Sequence, residues 1–249
     1  MYRNAWPLVR TLAPHLGGNC LLKFVAGVIR PGDVILDVGA NAGDYSRMLA
    51  AAVGPKGSVY AVEPNPAFDL DLLSASLEYG NIHPVHLAVS DRSSTQELFV
   101  DERHHGYAST LSGEQAARSG LAKTITVNTT TIDALCRNLD IKPAFMKLDI
   151  EGAEGPAIRG ATRVLRECRP LLWFECWSDA GLEHLDLLRA IGYRLYLGTV
   201  IKRGSAWISR RDPRNPRVLR ALQDDDLTPG GAIDVAAIHR HSPCALALA

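Results

Sequence analysis

The chain has 249 residues, 47% of them hydrophobic and 22% charged, enough apolar content for one large α/β domain with a full core. Its 27 Lys and Arg balance 27 Asp and Glu, so bulk charge gives no reason to expect nucleic-acid or anionic-membrane binding. No stretch free of formal charge exceeds 12 residues, the length of 11–22, short of the roughly 18 apolar residues a membrane helix needs.

The first ten residues, MYRNAWPLVR, carry no apolar run of signal-peptide quality. Five cysteines stand far apart without a Cys-x-x-Cys, which fits reduced thiols of a cytoplasmic protein better than a disulfide framework. Residues 1–33 are expected to form an N-terminal helical segment ahead of a single domain over 34–249. Within that domain, Val34-Ile35-Leu36 reads as a strand buried on both faces, and Tyr45, Met48, Leu49 and Ala52 follow at helical spacing. Residues 58–63 read as a second strand. Leu70, Leu73 and Leu77 mark a helix ending near Gly80-Asn81, and 82–89 reads as a third strand with Pro84 near an edge.

The insert 90–123 breaks the rhythm with polar clusters and one candidate strand at 97–100. Residues 124–130 look like a strand, followed by a helix from Ile132. Residues 144–150 and 171–176 read as core strands, with a helix between them containing Ala157, Ile158 and Val164. Leu182, Leu185, Leu188 and Ile191 mark another helix. Residues 193–200, 206–209 and 235–239 read as an antiparallel closing group, and 210–231 as an exposed loop. The alternation predicts a doubly wound, mostly parallel sheet in the order 3-2-1-4-5.

Three segments carry chemistry. In DVGANAG, Asp37, Gly39, Asn41 and Gly43 sit where the first strand turns into a helix. The spacing is neither Gly-x-Gly-x-x-Gly nor a phosphate loop, which weighs against NAD and nucleoside triphosphates. A carboxylate beside a helix N-terminus instead suits a zwitterion, its ammonium on Asp37 and its carboxylate on backbone N–H groups. Glu63, at the end of the second strand and followed by Pro64-Asn65-Pro66, can accept both hydroxyls of a ribose. Residues 146–154, MKLDIEGAE, leave the fourth core strand beside the first, placing Asp149 at the switch point. Glu151 and Glu154 read as favouring the start of the following helix, Glu154 above all, and Lys147 as a partner for one of them.

ILDVGANAGDYS, EPNP, LAVSD and KLDIEGAE, in this order over about two-thirds of the chain, resemble the FkbM family of class I S-adenosylmethionine-dependent methyltransferases. The resemblance implies a seven-stranded Rossmann-like methyltransferase sheet with an antiparallel closing strand. It also implies an O-methyltransferase acting on a hydroxyl of a sugar, glycoside or complex natural product. The cofactor, S-adenosylmethionine, would lie against Asp37, Gly39, Ala40, Asn41, Gly43, Tyr45 and Ser46, with Glu63 and Pro64 at the ribose and Ser90 and Asp91 near the adenine.

Deprotonating an aliphatic hydroxyl calls for a base or a metal. Asp149 is the first candidate base; His104 and His105, in the insert, are the second. A metal-assisted variant would use Asp149, Glu151 and Glu175 as oxygen ligands for Mg²⁺, which the resemblance does not require. The insert is expected to cover the acceptor. The runner-up reading is a nucleotide-binding or structural module with the same fold and no catalysis.

Overall fold

A computed structural model describes Leu21 and residues 28–101, 109–177, 182–201, 207–208, 221–227 and 232–242. The expected α/β alternation is present. Strands β1 (Val34–Val38), β2 (Ser58–Val62), β3 (Ile82–Val85), β8 (Phe145–Leu148) and β9 (Leu171–Trp177) run parallel in the order β9-β8-β1-β2-β3. Beyond β9 come β12 (Ala232–His239), β10 (Tyr193–Ile201) and the two-residue β11 (Trp207–Ile208). β12 lies antiparallel to both β9 and β10, which makes the seven-stranded closure, and β11 adds a short eighth strand at the edge.

β1 is central because its side chains are apolar on both faces. Ile35 aligns with Phe145 and Val59, and these pack with Leu49, Val53, Leu72 and Ala75. Leu36 aligns with Met146, which packs on the opposite face with Ile132, Ile158, Val164 and Leu188. Helices therefore cover both faces: α1 (Asp44–Val53) and α2 (Asp69–Tyr79) on the first, and α4 (Ile132–Asn138), α5 (Glu154–Arg159), α6 (Thr162–Glu167) and α7 (Glu183–Ile191) on the second. Leu21 and Val28, from the N-terminal segment, are helical and buried in the first cluster. No helix among the described residues is long and apolar enough to cross a membrane.

Several local expectations change. The strand expected over 82–89 splits: β3 ends at Val85, and β4 (Ala88–Val89) leaves to pair with β7 (Lys123–Thr130). Pro84 sits on the last strand of the main sheet, where a missing N–H costs no ladder bond on the open side. The insert is not irregular throughout. β5 (Ser94–Val100) pairs antiparallel with β7 and with β6 (Ser109–Thr110), and α3 (Gly113–Ser119) follows, so the insert builds a second, four-stranded sheet with β4. Its small core is Ala88, Leu98, Val100 and Val127.

The helix expected around Ala157 and Val164 breaks at Gly160, where a side chain would collide with the Ser90 carbonyl. On α2 the inward face is Leu72 and Ala75; Leu70, Leu73 and Leu77 face outward. Leu72 and Ala75 face the α1 N-cap at Gly43, where an added side chain would crowd Leu72. Of the expected loop 210–231 the described part includes a 3₁₀ turn at Asp224–Asp226 and Ala221, which bridges to Tyr196.

Candidate active site

The carboxyl ends of β1, β2 and β8 open into a cleft. Gly39 and Asn41 come from the β1 turn, Glu63 and Pro64 from β2, and Asp149, Ile150 and Glu151 from β8. Leu87, Ala88 and Val89 form another wall, and Leu98, Ser109, Thr110 and Leu111 of the second sheet complete it. This is the switch-point crevice where open α/β sheets take ligands.

The β1 turn is held by backbone bonds from Gly39 and Ala40 to the Val62 carbonyl, at 2.9 and 3.1 Å. Gly39 (φ 76°) has no room for a side chain, which would strike the carbonyl of Asp149, so the close approach it permits is between β1 and β8. Asn41 adopts φ 52°, within the tolerance of its residue type. Its N–H donates to Glu63 Oε2 at 2.9 Å, while the Asn65 N–H donates to Oε1 at 2.9 Å. Glu63 is nearly buried on the cleft wall, and burial pushes its pKa up against the pull of these two amides. Each oxygen keeps a second lone pair, the arrangement a pair of vicinal hydroxyls needs.

Asp37 is fully buried and does not reach the cleft. Ser46 Oγ donates to its Oδ2 at 2.6 Å, and its Oδ1 faces Lys147 Nζ at 3.5 Å. The ammonium beside Asp37 is therefore the chain's own lysine, where the sequence suggested a ligand's. Burial pushes the Asp37 pKa up, with Lys147 opposing.

Lys147 itself is 3% exposed. It also pairs with Asp149 Oδ2 at 3.2 Å, donates to the Gly39 carbonyl at 3.3 Å, and lies 4.9 Å over the Tyr45 ring. Burial alone would lower its pKa, but Asp149 and Asp37 outweigh that and the net shift is upward. The lysine thus ties the β1 and β8 loops together and leaves Asp149 partly exposed toward the cleft.

The loop after β8 is tight. Glu151 (φ 53°) and Gly152 (φ 93°) are both left-handed. Glu154, buried at the start of α5, accepts from Ile150 N at 2.9 Å and Gly152 N at 3.0 Å, a structural task as its sequence position suggested. Burial pushes its pKa up to about 8. Thr110 Oγ1 donates to the Glu151 carbonyl at 2.7 Å and accepts from Ser112 N at 2.8 Å, so the second sheet latches this loop.

One oxygen each of Asp149, Glu151 and Glu175 lies within 4.8 Å of the others. Burial, then the Asp149 charge, raises Glu151 to about 7. Burial, then the charges of Glu151, Asp149 and Glu154, raises Glu175 to about 10, and Trp177 Nε1 donates to Glu175 at 2.9 Å. Such crowding is relieved by protons or by a hard cation, for which an oxygen-only donor set is suited.

Of the residues singled out in the sequence, Gly39, Asn41, Glu63, Pro64, Asp149 and Glu151 line the cleft. Asp37, Ala40, Gly43, Tyr45 and Ser46 are not in that lining. Ser90 and Asp91 are not in its lining, which Leu87–Val89 supply; the Ser90 N–H bonds to the Thr130 carbonyl and Asp91 pairs with Arg159. His104 and His105, with Tyr107, lie outside the described residues. The lining from Leu98 and 109–111 was not foreseen residue by residue, and no local signal marks it.

The Methyltransferase FkbM domain family matches residues 37–195, a span that runs from the buried Asp37 through the insert to β10. The chain belongs to the FkbM methyltransferase family. Among solved structures, it is similar to methyltransferase FkbM of Methylobacillus flagellatus KT, at 17% identity and TM-score 0.49 over 93% of this chain and 58% of that one. It is also similar to precorrin-6y C5,15-methyltransferase of Geobacter metallireducens GS-15, at 12% identity and TM-score 0.45, covering 86% and 85% of the two chains. Aeropyrum pernix fibrillarin, solved with natively bound S-adenosyl-L-methionine, matches at 15% identity and TM-score 0.41, covering 83% and 67%. No curated protein matches the sequence.

Proposed function

We propose that this FkbM-family chain is an S-adenosylmethionine-dependent O-methyltransferase whose acceptor is a hydroxyl of a sugar, glycoside or complex natural product. The observation that carries the reading is the cleft itself, with Glu63 on one wall and Asp149 on another, across the side-chain-free Gly39. Glu63 is preorganised by two backbone amides to receive a ribose diol. Leu87, Val89, Leu98 and Leu111 offer apolar surface to a base, and the Gly39–Asn41 turn offers backbone groups to the amino-acid end.

S-adenosylmethionine supplies a sulfonium methyl that joins the acceptor oxygen as its bond to sulfur breaks, leaving a thioether and one proton to be removed. In this reading Asp149 orients the acceptor hydroxyl and takes that proton, which its position on the cleft wall and its ion pair with Lys147 support. His104 or His105 is the alternative base. The insert 90–123 serves as the acceptor cover, which its share of the cleft lining supports. A domain over 34–249 and a cytoplasmic setting belong to the same reading.

Calorimetric titration with S-adenosylmethionine, followed by mass spectrometry of a glycoside panel and of ribosomal RNA, tests it. Binding with a methylated glycoside is expected. Methylated RNA would sink the acceptor assignment, and absence of cofactor binding would favour a non-catalytic module.

A further inference from the structure

Glu151 is held in a backbone conformation that its residue type disfavours. It is left-handed at φ 53°, Gly152 follows at φ 93°, and both lie in the short loop between Asp149 and α5. A side chain of this kind stays left-handed only where its surroundings over-determine it, and such places cluster at functional sites. Two groups hold the loop. From inside, Glu154 accepts the Ile150 and Gly152 amides, two and four residues away. From outside, Thr110 Oγ1 donates to the Glu151 carbonyl across 41 positions of chain.

The outer hold joins two units of the fold. Thr110 is 1% exposed, and its place in β6 is fixed by pairing with Phe99 of β5. Because its hydroxyl also accepts from Ser112 N, its single proton is committed to the Glu151 carbonyl. Gly152 lies against Ser112 and Gln115, where an added Cβ would come within 3.6 Å of both. Ser109, Thr110 and Leu111 line the same cleft as Asp149 and Glu151. One buried hydroxyl therefore links the wall contributed by the insert to the strained loop that carries Asp149.

We propose that Thr110 is a positioning residue for methyl transfer, holding the loop through the Glu151 carbonyl so that Asp149 meets the acceptor hydroxyl. The proposal rests on Asp149 as the acceptor base. Thr110→Val keeps the branched shape and removes the donor, and Thr110→Ser keeps the donor. Hydrogen exchange on the full chain with S-adenosylmethionine needs no acceptor. Amides of residues 150–153 should exchange about tenfold faster in Thr110→Val, with β1 and β2 unchanged and Thr110→Ser close to the parent. With a methyl glycoside that the parent methylates, kcat should fall about tenfold or more, since an ångström of misplacement can cost about 10²-fold. Cofactor affinity by calorimetry should stay within about threefold, and Thr110→Ser should restore the rate. In an Asp149→Asn background Thr110→Val should cost little more, because a positioning residue acts through the group it positions. Unchanged exchange at 150–153, a uniform rise that includes β1 and β2, or equal rate losses in both backgrounds would overturn the proposal. A slow Asp149→Asn beside a normal Thr110→Val would overturn it while leaving the base assignment standing. Normal turnover in Asp149→Asn would refute that assignment and the proposal with it.

Discussion

Replacing Lys147 by Met keeps the length and apolar stem of a side chain that is 3% exposed, and removes only its charge and donors. Asp37 is then left fully buried with Ser46 as its remaining hydrogen-bond donor. Breaking a buried pair by deleting one partner costs about 3–5 kcal/mol, because the other charge stays in low dielectric. That is a large share of the roughly 5–15 kcal/mol that holds a domain together. Asp149 contributes little to the loss, since its side chain is partly exposed and water can take over from the lysine.

The sign with pH follows from Asp37. Burial raises its folded-state pKa above the unfolded value, and without Lys147 the rise is larger. Folding then takes up a proton, so the variant loses stability as pH rises from the ordinary carboxylate range and recovers it in acid. Urea unfolding of Lys147→Met, Asp37→Asn and the double variant, at pH 5 and pH 8, measures this. The double variant should be more stable than the sum of the singles predicts, by about 1–3 kcal/mol. A loss below about 1 kcal/mol in Lys147→Met, or strict additivity, would refute the reasoning.

Three further outcomes are expected. Glu63→Gln removes the charge and one acceptor, and should weaken S-adenosylmethionine binding about tenfold or more by calorimetry, from a loss of roughly 1.5–3 kcal/mol. Thr110→Val strands the Glu151 carbonyl and the Ser112 N–H, and should lower unfolding free energy by about 1–3 kcal/mol, with Thr110→Ser restoring most of it. Glu175 is raised to about 10, so in the parent its buried carboxyl penalises folding increasingly as pH climbs above the ordinary glutamate range. Glu175→Gln should match the parent near pH 5 and exceed its urea midpoint at pH 9.

Much of this architecture was legible because parallel strands buried on both faces are short apolar runs. Val34-Ile35-Leu36 read as a strand for that reason, as did the apolar-rich 144–150 and 171–176, and the order of the strands put Glu63 and Asp149 around one crevice. The second sheet was not legible. β5 opens on four polar residues, Ser94 to Glu97, without a strand's alternation, and its partner β7 lies some thirty residues away, so pairing is a long-range fact that local periodicity does not carry. Leu70, Leu73 and Leu77 marked the helix α2 correctly, but which face it buries was not legible, since Leu72 and Ala75 turn inward. In the site, positive φ at Gly39 and Asn41 followed from residue type. The role of Lys147 did not, because three acids lie within eight residues of it and a fourth, Asp37, is 110 positions away.

The central claim is that one cleft binds the methyl donor and holds an acceptor hydroxyl against Asp149. The measurement that meets it most directly is the rate of methyl transfer by Asp149→Asn, on a hydroxyl acceptor that the parent methylates, at saturating S-adenosylmethionine. A fall of about 10²–10⁴-fold is expected, with cofactor affinity nearly unchanged. Near-normal turnover, or lost turnover explained wholly by lost cofactor binding, would contradict it.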